Sequence, residues 1–396
     1  MKKQLFYALI LTAAITSCDN TKTTTKEAPI AKVAQDTPEK KPELPTPAER
    51  PDIKKEMMVL QKRLNRFEVA SQHLMASAKE KSIVKGAMGC RVLVVPKDMV
   101  TPDGQPVTGE IDVELKELPG VEQMVRQGVQ TVSDGKLLVS GGSYYVNMTS
   151  KGQQLKLKLG KTLKVILPKY TNEQMNVYYG AKDSSGVMNW TETSQKFEKF
   201  DTDSSDFLFA NVNKISAFEF CFMSGGKNTD SSYMQVVNQL KKIKELAYLF
   251  GENLTPKDTA VSRAKKAMKR YESLAGSIYK EVAIQNFGWI NCDRFLNETN
   301  VTNLACGFEP SDSISYAKVY LVFKSINSAI EERYAYDMGS TFNNVPVGMQ
   351  GTVIAMAMKK GQLYSSRKEI TINKGQKVTL TMKKSKDEDI AALMKF

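Results

Sequence analysis

The residues that could do chemistry are few and widely spaced. The chain has one histidine, His73, so any Ser–His–Asp arrangement has to use it. No Gly-x-Ser-x-Gly elbow is present to hold a nucleophile on a strand-to-helix turn. His73 precedes Leu74 and Met75 in a strand-like or loop segment and reads as structural. One histidine and scattered thiols also make a poor zinc set. Glu110, Asp112 and Glu114 alternate along one amphipathic segment. On a strand they share a face at steps of about 7 Å, a spacing that the paired carboxylates of a glycosidase could use. Solvated acids on an ordinary strand give the same pattern. Leu159-Gly160-Lys161-Thr162 matches the end of a phosphate loop, but Leu155 stands where the first glycine belongs and a strand follows where a helix is needed. It reads as a turn. Asp201, Asp203 and Asp206 offer oxygen ligands suited to calcium, without the mid-loop glycine or terminal glutamate of an EF-hand. No catalytic residue, metal ligand or cofactor site is assigned from these patterns. The aromatic residues hold more promise: Trp190 and Trp289, with Tyr144, Tyr145, Tyr178 and Tyr179, are the candidate platform for a glycan. Filling a core is the competing use of the same rings.

The elements that would carry these residues follow from periodicity. Ile53, Met57, Leu60, Leu64 and Phe67 recur at helical spacing after Pro51 and Asp52, predicting an amphipathic helix over 52–65. From 66 to 223 the period becomes two. Ile111, Val113 and Leu115 share a face, as do Leu155, Leu157 and Leu159, and then Leu163, Val165 and Leu167. Turn signals lie between these runs at Pro102-Asp103-Gly104, Ser133-Asp134-Gly135, Gly141-Gly142 and Lys151-Gly152. Alternation broken by such turns predicts an antiparallel β-sandwich. Residues 228–285 read as a helical hairpin. One stripe runs from Tyr233 to Phe250, and a second helix opens at Thr255-Pro256 with a seam from Val261 through Ile278 and Val282. Period two returns over 286–382, where Val319, Leu321 and Phe323 form one face and Val353, Ala355 and Ala357 another, the size of a second β-sandwich. Residues 383–396 form a charged tail or short helix. The expected fold is therefore mainly β with a helical insert: two antiparallel sandwiches separated by a helical hairpin.

The amino-terminal end carries a different message. Lys2 and Lys3 precede a short apolar core, Leu5 to Ile15, which is too short to span a bilayer and ends in Ile15-Thr16-Ser17-Cys18. That run resembles the bacterial lipobox, which implies a signal peptide over 1–17 and lipidation of Cys18. Several acyl chains on one residue would hold it to a membrane, since each buried CH₂ contributes about 0.8 kcal/mol. Residues 18–51 follow as a tether. Six of the chain's fourteen prolines lie there, among mixed charges and few large apolar side chains. No later stretch is apolar enough to cross a membrane.

Cysteine use fits an exported chain. Setting Cys18 aside leaves Cys90, Cys221, Cys292 and Cys306. Cys292 and Cys306 are nearest in sequence and form the candidate disulfide, closing a loop worth about 3 kcal/mol on the chain-entropy account. Cys90 and Cys221 lie in apolar runs and read as buried hydrophobes. The formal net charge is +13. The lysines are dispersed, so a solvated basic surface is expected, with weak attraction to anionic lipid heads, glycans or an acidic protein. Nucleic acid is not expected as a partner of an exported chain.

Several runs resemble the uncharacterised surface lipoproteins of Bacteroidota. They are Gly89-Cys90-Arg91-Val92-Leu93-Val94-Val95-Pro96, Asp103-Gly104-Gln105-Pro106-Val107-Thr108-Gly109, Ser133 to Gly142, and Gly288-Trp289-Ile290-Asn291-Cys292-Asp293. Phe342-Asn343-Asn344-Val345-Pro346-Val347-Gly348 with its two following strands is similar to the transthyretin-like regulatory domain found beside carboxypeptidases. The resemblance implies sandwich domains on a lipid-anchored envelope protein, at the periplasmic face of the outer membrane or the cell surface. It brings no catalytic residues. Asp258-Thr259-Ala260 and Asp312-Ser313-Ile314 resemble the O-glycosylation acceptor pattern of that phylum, which marks Thr259 and Ser313 as candidate acceptors. The expectation is a non-catalytic structural or binding module of the envelope. A glycan-binding surface protein and a carboxylate-dependent hydrolase stand as alternatives.

Overall fold

The computed structural model describes residues 53–198, 277–309, 312–336 and 338–396. Cys18, the tether, Asp201, Asp203, Asp206, Cys221, Thr259 and most of the expected helical hairpin lie outside them. The described chain is mainly β, and its antiparallel sheets form two sandwich-like bodies.

The first body is built on a large antiparallel sheet. Its strands in chain order are β1 (Gln72–Ser77), β4 (Glu110–Leu118), β5 (Lys136–Ser150), β7 (Met175–Lys182), β8 (Met188–Phe197) and β10 (Gly288–Phe295). Across the sheet they run β1-β4-β5-β10-β7-β8. A smaller sheet faces it, made of β2 (Ser82–Lys85), β3 (Arg91–Val94), β6 (Leu163–Ile166) and β9 (Val282–Ile284). Ile111, Val113, Leu115, Tyr144, Val146 and Met148 from one sheet meet Val92, Val94, Leu163 and Val165 from the other in one buried core. Alternating apolar positions close this core, as the period-two pattern requires.

The second sandwich was expected to open at 286, but Val282–Ile284 and Gly288–Phe295 belong to the sheets of the first body. Val282 also ends the expected helical seam as a strand, and Ile278 forms a bridge with Pro168. Val282, Ile284, Ile290 and Cys292 are buried at alternate positions, so the pattern is a strand pattern. It does not say which partner strands will bond it.

Gly141-Gly142 is no turn. Both lie within one fifteen-residue strand, β5, opposite a register shift between Asn291 and Asp293. Gly142 has φ +119°, and a Cβ on Gly141 would stand 2.8 Å from the Cys292 carbonyl. The pair makes a bulge where another backbone comes close. The other expected turns form: Asp134 and Gly135, and Lys151 and Gly152, have the paired positive φ of tight hairpin turns.

The second body packs one sheet between two layers. Strands β12 (Tyr316–Phe323), β13 (Ser328–Ala335), β15 (Gln350–Lys359) and β16 (Gln362–Thr371) run β13-β12-β15-β16. On one side lie β11 (Val301–Phe308), β14 (Ser340–Pro346) and β17 (Lys377–Leu380), where β11 and β17 are parallel. On the other lie helices α1 (Ile53–Leu64), α2 (Val121–Gln127) and α3 (Asp387–Leu393), which bury Leu60, Leu64, Val121, Val125, Ile390 and Leu393 against Tyr320, Val322 and Ile354. Both faces of β12 are therefore covered, and all eight of its residues are buried.

A polar seam joins the bodies. The Asn327 amide nitrogen donates to the carbonyls of Pro119 (3.0 Å) and Ser140 (3.1 Å), while its oxygen accepts from the Val121 backbone nitrogen at 2.7 Å. Thr131 and Ala329 exchange bonds of 2.8 and 2.9 Å. The Gln130 side chain accepts from the Glu331 backbone nitrogen and donates to the Met188 carbonyl. Asn327→Ala removes three bonds at once and should lower unfolding free energy by about 2–4 kcal/mol in urea titration. A loss below about 1 kcal/mol would show that the seam adds little.

Candidate functional site

The large sheet of the first body has a two-part outer face. Toward the second body, Leu118, Met124, Leu138, Tyr178, Met188 and Trp190 are buried together under α2 and the seam. Away from it, the same face is open and carries His73, Asp112, Glu114, Tyr145, Asn147 and the edge of Trp289. Strand pairing sets these in rows: Trp289 stands opposite Tyr145, Tyr145 opposite Lys116, and Asn147 opposite Glu114, which faces His73.

This geometry divides the expected aromatic platform. Trp190 is fully buried and donates its indole N–H to the Gln130 carbonyl at 2.6 Å, so it is a core residue and no platform. It folds over Gly180, where a Cβ would stand 2.5 Å from its ring. Tyr144 and Tyr178 are also fully buried. Tyr145 and Trp289 remain half-buried on the open side, with ring centroids 5.2 Å apart and planes inclined by 51°.

Beside this pair opens a cleft of 840 Å³ between the 154–162 segment and 285–288. Partly buried Tyr145, Asn147 and Phe287 line it together with exposed Lys156, Lys158 and Lys161. Lys158-Leu159-Gly160-Lys161 makes the expected turn, closed by the Lys161 backbone nitrogen on the Lys158 carbonyl at 3.0 Å. The turn leaves Leu159 entirely exposed, although the alternation placed it on one face with Leu155, which is buried. Lys161 lies 3.6 Å from Asp98. Among the described residues no carboxylate pairs with Lys156 or Lys158, and none lines the cleft.

The acidic residues of the face are occupied with neighbours. His73 Nδ1 lies 2.9 Å from Asp112. Glu114 accepts from the Ser71 hydroxyl at 2.6 Å and from the Asn147 amide at 3.4 Å. Among the described residues no group of three or more His, Cys, Asp or Glu is placed to hold a metal ion.

The thiols correct the disulfide expectation. Cys292 and Cys306 are free and buried. Cys292 sits on β10 in the first core and Cys306 on β11 in the second, so nearness in sequence places them in different bodies. Burial pushes both thiols up, Cys306 to about 12, which leaves them protonated and unreactive at neutral pH. Cys90 is a buried core residue as read, its thiol raised by burial and by Glu117. Ser313 is exposed, with φ +48°, beside an Asp312 carboxylate that accepts from the Met382 backbone nitrogen.

No protein-family model, curated protein or solved structure matches this chain.

A second cavity, of 390 Å³, lies along the seam and is lined by Asp183, Asn189, Glu332, Arg333 and Asn343 among others. Burial pushes the Glu332 carboxyl from 4.5 up to about 7; Glu331 adds to this, and the Arg333 backbone and guanidinium oppose it. A carboxyl whose folded pKa is raised favours the fold while it is protonated, and that contribution is lost as the pH climbs from 4.5 to 7. The wild type should therefore lose melting temperature over that window relative to Glu332→Gln. Parallel pH profiles for the two proteins would refute the shift.

Proposed function

We propose that this protein is a lipid-anchored, non-catalytic binding module of the bacterial cell envelope, held through Cys18 at the outer membrane or cell surface. The lipobox-like run and the proline-rich tether support the anchor. The strand-and-turn motifs similar to Bacteroidota surface lipoproteins, and the transthyretin-like pattern of the second body, support the setting. One observation carries the binding role: Tyr145, half-buried and in ring contact with Trp289, lines a cleft free of carboxylates. A half-exposed aromatic ring, a ledge beside exposed amides and cations, is suited to holding a polar ligand in place. That favours a glycan over a purely structural role, and it moves the platform from Trp190 to Tyr145 beside Trp289.

The hydrolase alternative would need Glu114 or Asp112 free to act on a substrate. Glu114 is already bonded to Ser71 and Asn147, and Asp112 to His73, an arrangement that suits support of the ledge. Labelled palmitate should enter the wild-type chain in its native host and be absent from Cys18→Ala; label retained in the variant, or none in the wild type, would rule out Cys18 as the anchor. Purified protein should show no glycan turnover. A rate lost in Glu114→Gln would make the protein an enzyme.

A further inference from the structure

We propose that the cleft between residues 154–162 and 285–288 binds an acidic saccharide, a sugar chain carrying carboxylates. The inference rests on the binding-module reading and names its ligand class. Three features of the cleft select that class together. The first is the unbalanced charge. Lys156 and Lys158 are exposed and have no anionic partner among the described residues, and no aspartate or glutamate lines the cleft. On extended backbone, residues two apart point the same way at a step of about 7 Å, so the two ammonium groups rise from one side of the cleft as a pair.

The second feature is the ledge. Tyr145 lines the cleft and its ring meets that of Trp289 at a tilt of 51°, which holds it against a half-buried neighbour. A fixed aromatic face packs against the apolar C–H face of a sugar ring and costs little side-chain entropy. Phosphate or an isolated carboxylate would make no use of it. The third feature is a pair of exposed amides. Gln285 and Asn286 line the cleft and supply both donors and acceptors, as a polyhydroxylated ligand requires, while Asn147 and Gln154 beside them are bonded to each other and to Glu114 and Met148. An anionic lipid headgroup would use the lysines and leave the ledge and the amides without partners.

The test uses the full chain in non-ionic detergent, with tetragalacturonate as the probe and its methyl ester as the uncharged comparison. Tryptophan fluorescence is the readout. Trp190 is sealed in the seam, so a ligand at the cleft changes the signal of Trp289 over a constant background. Saturable binding of the acid, at least tenfold tighter than the ester and weakened by added salt, is expected. Lys156→Gln/Lys158→Gln changes only exposed side chains and should weaken binding about tenfold. Tyr145→Ala should weaken it about tenfold, and Tyr145→Phe, which keeps the ring and the packing, should not. Absence of saturable binding to tetragalacturonate at millimolar concentration would overturn the proposal, as would binding unchanged in the double lysine variant. Equal binding of acid and ester would overturn it while leaving the binding-module reading intact. A response to phosphatidylglycerol vesicles without one to the sugar would assign the lysines to a membrane surface and also overturn it.

Discussion

The arrangement of this protein depends on one strand, Gly288–Phe295, inserted between two strands much earlier in the chain. Its backbone is bonded along one edge to Lys136–Ser150 and along the other to Met175–Lys182. Without it the large sheet would be two separate fragments with open edges, each a poor unit alone. Its inward residues, Ile290 and Cys292, complete the first core. Its outward Trp289 meets Tyr145 only because the register sets the two opposite each other. The aromatic ledge is thus a consequence of how the sheet closes, and it is rigid for that reason.

The same insertion imposes local costs that explain otherwise odd residues. The register slips between Asn291 and Asp293, and Gly141-Gly142 accommodates the slip because no Cβ fits against the Cys292 carbonyl. The slip leaves polar groups inside. Ser143 donates to Asn291 at 2.9 Å, and the Asn291 amide donates to Asp293. Burial pushes the Asp293 carboxyl well above its ordinary range, partly offset by bonds from Ser140, the Gly141 backbone and Asn291. A neutral carboxyl costs far less to bury than a charged one. The bulge and its polar cluster lie beside Asn327, which bonds to Ser140 from the second body. Closure of the first sheet and docking of the second body therefore meet at the same few residues.

How much of this was legible in the sequence depends on whether the information was local. Ile111, Val113 and Leu115, and likewise Leu163, Val165 and Leu167, are buried as their alternation predicts. Asp134-Gly135 and Lys151-Gly152 turn as their residue types demand. Sheet partners were not legible, because alternation marks a face and leaves the neighbouring strand open. Alternation alone therefore assigns the strand at 288 to the wrong body, and nearness in sequence alone pairs Cys292 with Cys306. Helix α2 was missed because Val121–Gln127 is only seven residues long, between a strand and Gly128. Of the aromatic residues, the sequence could name the set but not which of them the second body would cover. Trp190 and Trp289 both stand opposite Gly180 in the same sheet, yet Trp190 lies inside the buried cluster and Trp289 only packs against it.

The open part of that face is electrically divided, and the division follows from strand order. Asp112, Glu114 and His73 lie on the two strands at one edge, while the exposed lysines belong to the 154–162 segment that follows the long strand β5. Between them run Tyr145 and Asn147, uncharged. The acids are held by His73, Ser71 and Asn147, so their field is partly balanced where they stand. Lys156 and Lys158 are exposed and have no such balance among the described residues, which leaves their charge available to an anion. A ligand bearing both negative charge and an apolar ring face would therefore be oriented as well as held, its charges toward the 154–162 turn and its rings along Tyr145. Orientation of that kind follows from the order of strands in the sheet, because Tyr145 on β5 adjoins Trp289 on β10 and the lysine segment follows β5 directly.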